Sequence, residues 1–157
     1  MKIKWYGHAA FQITTDEGVR VIIDPYESGA FGGALSYGKI TDEAEIVLTS
    51  HDHDDHNYVG DIQGKFKLIN TPGEHIEPGI TIRGVPTFHD QSKGAERGLN
   101  IIYIIEADGL RVAHLDVGRG AVGEAQRHHL AVGDGKEGVA VAEDALEMRP
   151  GIEAEAA

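Results

Sequence analysis

Through about residue 118, apolar positions come in short runs or alternate with polar ones, and turn residues separate the runs, a pattern that predicts strands rather than helices. Ile3–Tyr6 and Ala10–Thr14 flank Gly7, and Asp16-Glu17-Gly18 turns the chain into the apolar run Val19–Ile23, which stops at Asp24-Pro25. That pattern predicts a hairpin entering a sheet. Tyr26–Tyr37 is rich in Gly, Ser and Ala and reads as a flexible loop with little capacity to build a core. Ile46-Val47-Leu48-Thr49 predicts a short buried strand, and Lys67–Asn70, Ile80–Val85, Leu99–Glu106 and Leu110–Leu115 continue the series. Asp108-Gly109 marks a tight turn between the last two. Beyond about Ala121 the strand signals fade. Val139–Met148 suggests a modest helix and Ile152–Ala157 a frayed tail. There is no internal repeat and no linker composition, so residues 1–157 read as a single domain.

Composition narrows the function classes. A hydrophobic content of 41% is enough to build a core. No apolar run approaches the roughly 18–20 residues that span a bilayer. The opening Met1-Lys2-Ile3-Lys4-Trp5 lacks the apolar stretch of a secretory signal, which predicts a cytoplasmic protein. The absence of cysteine rules out disulfides and thiolate metal ligands. A net charge of −12 disfavours nucleic acid and anionic membranes as partners. A small phosphorylated or carboxylated substrate stays compatible with that surface, because a bound cation dominates its local field.

The chemistry concentrates in Ser50-His51-Asp52-His53-Asp54-Asp55-His56-Asn57, which places three imidazoles and three carboxylates within six residues, directly after an apolar strand. Imidazole nitrogen and carboxylate oxygen suit zinc and similar divalent ions. On a turn leaving a strand, His51 and His53 can converge on one ion. Asp55 and His56, one bend later, can address a second ion or its water. Asp52 and Asp54 point away from their neighbours if the segment is locally extended, and read as solvated or supporting groups. The bland alternative is a solvated acidic loop with incidental histidines, but unpaired like charge at this density is costly.

His-x-His-x-Asp-His after a buried strand resembles the metallo-β-lactamase superfamily. Gly7-His8-Ala9-Ala10-Phe11, Val21-Ile22-Ile23-Asp24-Pro25, Val85-Pro86-Thr87-Phe88-His89-Asp90 and Arg97-Gly98-Leu99-Asn100 extend the likeness over roughly residues 1–118. Those pieces are similar to the branch of L-ascorbate-6-phosphate lactonase-like zinc-dependent hydrolases. The resemblance implies an α/β fold, an αββα sandwich of stacked sheets flanked by helices. It also implies one ion on His51, His53 and His89, a second on Asp55 and His56, and Asp116 bridging the two. Leu115 stands where the family places a glycine before the bridging aspartate. The family's further strand-rich half, ending in a histidine ligand, has no counterpart here, so the second half reads as incomplete and residues 119–157 as divergent, partly helical or frayed. Such a gap would expose apolar surface and favour a homo-oligomer.

Other positions carry two readings each. His8 is a substrate contact near the metal mouth or a hydrogen-bonded structural histidine. Asp24 orients a ligand histidine or forms a turn before Pro25. Arg97 grips an anionic substrate group or lies on the surface. His128 and His129 are an exposed pair or replacement ligands. The function expected from the resemblance is hydrolysis of a small ester, lactone, amide or phosphoester by metal-bound hydroxide, with Asp55 holding the nucleophile and accepting a proton. One or two Zn2+ ions are expected, with Mn2+, Ni2+ or Fe2+ as alternatives. The rivals are a metal-binding relative without catalysis and, less favoured by the acidic surface, a metal-dependent nuclease.

Overall fold

The computed structural model describes the backbone of residues 1–117, 127–133, 140–142 and 153–156, and side chains through residue 115. The chain divides into two compact units, Met1–Asn70 with Pro150–Ala157, and Thr71–Arg149. Each unit carries one six-stranded sheet.

In the first unit, β1 (Lys2–Gly7), β2 (Ala10–Thr14) and β3 (Arg20–Ile23) pair antiparallel in succession. β4 (Ile46–Leu48) and β5 (Lys67–Ile69) then add in parallel. Val21–Ile23 and Ile46–Leu48 are buried at every position, which explains why they read as continuous apolar runs without alternation. Ile22 and Val47 pack with Tyr6, Ala10, Tyr26, Leu35, Ile40, Ala44 and Ile62 in one apolar cluster. Its cover comes from the irregular segment between β3 and β5. The expectation of a flexible loop with little core-building capacity is thereby corrected. Tyr26 is buried and its hydroxyl donates to the carbonyls of Tyr6 and Gly38 (2.8 and 3.0 Å), tying both ends of the loop down.

In the second unit, β6 (Gly73–Glu77), β7 (Ile80–Phe88), β8 (Leu99–Ala107), β9 (Leu110–Val117), β10 (Arg127–Gly133) and β11 (Ala140–Ala142) form an antiparallel meander. Ile80 and Ile82 on β7, Ile101, Tyr103, Ile105 and Ala107 on β8, and Val112 and His114 on β9 are buried at alternate positions. The predicted turn at Asp108-Gly109 has φ of 54° and 71° at its two residues, the left-handed pair that a two-residue hairpin demands.

Three expectations change. The flanking helices of an α/β sandwich are not found: among the described residues the one helix, α1 (Ala30–Gly33), is a distorted turn with left-handed angles at Phe31 and Gly32. Ala140–Ala142, inside the expected Val139–Met148 helix, pairs instead with β10, and residues 143–148 lie outside the described residues. The expected frayed tail contains a strand, β12 (Glu153–Ala156), parallel to β1. Among the described residues, no helix is long and apolar enough to cross a membrane.

Candidate metal centre

The ends of β3, β4 and β5 fix the loop that carries the His/Asp cluster. β3 terminates at Asp24, whose φ of 47° turns the chain and whose N–H donates to the Leu48 carbonyl (2.9 Å). The Thr49 N–H donates to Ile69 (3.2 Å), so the chain leaving β4 is held from both neighbouring strands. The Asp24 carboxylate is fully buried and accepts two bonds from the next residue of the loop, Ser50 N–H at 2.7 Å and Ser50 Oγ at 2.8 Å. Ser50 Oγ also lies 3.0 Å from His51 Nδ1.

The donor roles in this relay follow from proton counting. The Ser50 hydroxyl donates its single proton to Asp24. Toward His51 the same oxygen can then only accept, which places a proton on Nδ1 and leaves the Nε2 lone pair for a metal. The relay realises the orienting role considered for Asp24. Sequence reading missed Ser50 as its intermediary, and the only signal was a hydroxyl residue immediately before the first histidine.

After His51 the chain folds back on itself. The N–H groups of His56 and Asn57 both donate to the His53 carbonyl (2.8 and 3.1 Å), and two bonds, Glu27 N–H to Asp54 and Tyr58 N–H to Pro25, staple the loop to the segment after β3. This gathers the rings: His51 lies 4.5 Å from His53 and 4.2 Å from His56 between centroids. His56 is fully buried, and Asp55 reaches its Nδ1 with one oxygen (3.0 Å) and His8 Nε2 with the other (3.1 Å). Burial alone would raise the Asp55 pKa. The close His56 and His8 imidazoles outweigh it and hold the carboxyl well below the usual carboxylate range. Asp55 is thus an anion ready to bind a cation. Asp52 and Asp54 are exposed, in line with the solvated reading, and Asp52 accepts from the Asn57 amide.

Of the residues expected to form the site, His8, His51, His53, Asp55 and His56 come together in the first unit. His89, Arg97 and Asp116 belong to the second. His89 follows β7, is buried, and its N–H donates to Gly98 (3.1 Å). Asp90 next to it accepts from the N–H groups of Gly94, Glu96 and Arg97 (2.9, 3.2 and 2.8 Å), which fixes the loop of residues 90–98 with Arg97 exposed. The slight burial of Asp90 acts to raise its pKa, and these bonds hold it below the ordinary value. Asp116 is on β9, with His128 as its register partner on β10 and His129 opposite Leu115. His114, which sequence reading did not single out, is fully buried on the same strand opposite Tyr103.

A family model for the beta-lactamase superfamily domain matches residues 2–133. A UPF0173 metal-dependent hydrolase of Methanobrevibacter smithii is 26% identical over 94% of this chain and 58% of its own length. Another, from Methanopyrus kandleri, is 34% identical over 73% of this chain and 46% of its own. Among solved structures, one from Thermotoga maritima, described as a candidate zinc-dependent hydrolase of the metallo-β-lactamase superfamily, superimposes with a TM-score of 0.55. It is 32% identical, over 72% of this chain and 47% of that one. The chain therefore spans about half the length of the relatives it matches. With the His/Asp loop built as the motif requires and a family match over most of its length, the chain belongs to the metallo-β-lactamase superfamily.

Proposed function

We propose that this chain carries the metal centre of a hydrolase acting on a small ester, lactone, amide or phosphoester, similar to the L-ascorbate-6-phosphate lactonase-like branch. The observation that carries this reading is the Asp24–Ser50–His51 relay. A fully buried carboxylate is expensive, and here its two accepted bonds serve to fix one ring's tautomer with Nε2 toward the cluster. The donor set also fits a divalent ion: imidazoles and one ionised carboxylate, with no thiolate, suit Zn2+ and leave Mn2+, Ni2+ or Fe2+ as alternatives.

In this reading His51, His53 and His89 hold one ion, Asp55 and His56 hold a second, and Asp116 is shared. A bound divalent ion supplies an acidified water, of pKa about 7, and positive charge for the scissile group. Asp55 would orient the attacking water through its ionised carboxylate and would pass the proton taken from that water on to the leaving group. Arg97 meets an anionic group of the substrate, and His8 stands at the metal mouth beside Asp55. The relatives named above are metal-dependent hydrolases by name, which supports the same class here.

The test is turnover of nitrophenyl ester, lactone and phosphodiester probes by purified chain of known metal content, with and without chelator. Turnover that disappears with the metal and returns with added Zn2+ is the expected result. Tightly bound metal without turnover of any probe would favour the non-catalytic metal-binding alternative. Absence of bound metal would overturn the reading.

A further inference from the structure

We infer that His8 is itself a metal ligand, binding through Nε2 and completing a His8–Asp55–His56 face for the second ion. This rests on the metal-centre reading above and deepens it, since the motif alone assigns that ion only Asp55 and His56 from this loop.

Geometry is the first argument. His8 Nε2, an Asp55 carboxylate oxygen and a His56 ring nitrogen all lie within 4.8 Å of one another. His56 Nδ1 stands 3.0 Å from one Asp55 oxygen and His8 Nε2 stands 3.1 Å from the other. Donors bonded to one ion at about 2.0–2.2 Å stand about 3–3.5 Å apart. Both ring nitrogens therefore stand beside the carboxylate at the spacing of ligands that share an ion. The His8 and His56 rings meet edge to face at 5.1 Å between centroids.

The second argument is the backbone that delivers His8. Its φ of 52° is left-handed, a conformation costing a residue with a Cβ about 1–2 kcal/mol. The turn is nevertheless locked. The Trp5 indole N–H donates to the His8 carbonyl at 3.0 Å. The Tyr37 ring lies against Gly7, where any Cβ would meet it at 2.3 Å. The His–Asp pair, with side chains 20% and 16% exposed, is itself part of what holds this turn. Such strain gathers where a side chain must be aimed. The 20% exposure of His8 leaves that ring reachable from solvent, whereas His56 is closed off.

Ligation and mere orientation of Asp55 make different demands on the side chain. A glutamine at position 8 can place an amide N–H where Nε2 stands and keep the bond to Asp55, but it is a poor ligand for zinc. Metal-free wild type, His8→Gln and His8→Ala are titrated with Zn2+ by calorimetry, with circular dichroism checking that each is folded. If His8 is a ligand, both variants lose at least about tenfold in affinity at the site of Asp55 and His56, while the site containing His51 is unchanged. Wild-type affinity in His8→Gln would overturn the inference and reduce His8 to a positioning residue. Should both variants fail to fold, 15N spectra of the wild-type imidazoles decide. A His8 Nε2 resonance that moves on zinc addition as a ligating nitrogen does supports ligation, and one that stays overturns it. A wild type that binds no zinc would instead defeat the metal-centre reading itself, a failure distinct from two intact sites in His8→Gln.

Discussion

Replacing Asp24 by Asn changes no volume and removes one charge, so it isolates the relay. The Asp24 carboxylate accepts from Ser50 N–H at 2.7 Å and Oγ at 2.8 Å. Asparagine can keep the first bond through Oδ1, but its amide then presents a donor to Oγ. The Ser50 hydroxyl must accept from it and turn its own proton toward His51 Nδ1, 3.0 Å away. His51 is thereby forced into the other tautomer, with the proton on Nε2, where the ion should bind. The opposite amide orientation sets two N–H groups against each other and is worse.

Two effects of known size follow. Exchanging two charge-assisted bonds of about 1.5–3 kcal/mol for neutral ones of about 0.5–1.5 lowers stability, and relief of the buried charge offsets part of that, leaving a net loss of about 1–3 kcal/mol. Loss of an orienting partner weakens metal binding by about 10–100-fold, or about 1.4–2.7 kcal/mol. Calorimetric zinc titration measures the affinity, and long-range 1H–15N spectra report which ring nitrogen of His51 carries the proton. Ser50→Ala, which deletes the hydroxyl, should lose comparable affinity for about 1 kcal/mol of stability. Asp24→Asn with wild-type zinc affinity and an unchanged His51 tautomer would refute the reasoning.

Three further outcomes are expected. His51→Ala and His53→Ala should each lose most bound zinc by elemental analysis with secondary structure retained, because both side chains leave a loop rather than a core layer. Gly7→Ala should cost about 2–4 kcal/mol in urea unfolding, since φ is 108° and the new Cβ would strike the Tyr37 ring; a loss under 1 kcal/mol would show that the ring moves freely. Burial pushes the Tyr26 phenol up to about 12 from 10.0. Its neutral form is favoured in the folded chain, so stability is flat below pH 10 and falls between pH 10 and 12, and Tyr26→Phe should abolish that alkaline decline while the wild type shows it.

The legible parts of the fold are those whose cause is local. β3 and β4 announce themselves as apolar runs because burial at every position leaves no polar face, and the β8–β9 hairpin declares itself through Asp108-Gly109. β6 was missed because Gly-Glu-His-Ile-Glu holds mostly exposed positions with no apolar stripe; its order comes from pairing with β7. β12 was missed for a related reason: Glu-Ala-Glu-Ala has weak strand propensity, and its partner β1 is at the other end of the chain. The loop after β3 was misjudged from its glycines and serines, since the burial of Tyr26 and Leu35 depends on neighbours that the local composition does not reveal.

The same distinction divides the metal centre. His51, His53, Asp55 and His56 were legible as candidates because one contiguous turn carries all four. The groups beside them, Asp24 and His8, carried two readings each because their partners are remote: Asp24 meets Ser50 across 26 positions of sequence, and His8 meets Asp55 across 47. Both partners, Asp24 and His8, are non-glycine residues at positive φ, at the end of one strand and in the turn between two others. Each places a polar side chain where regular strand geometry would not. A side chain leaving a strand must point to one face or the other. A left-handed residue at a strand end escapes that constraint and can aim along the edge of the sheet. In this unit the edge residues so aimed meet the loop that holds the ligands, Asp24 through Ser50 and His8 through Asp55. Substitutions at these two positions should therefore lower metal affinity as well as stability.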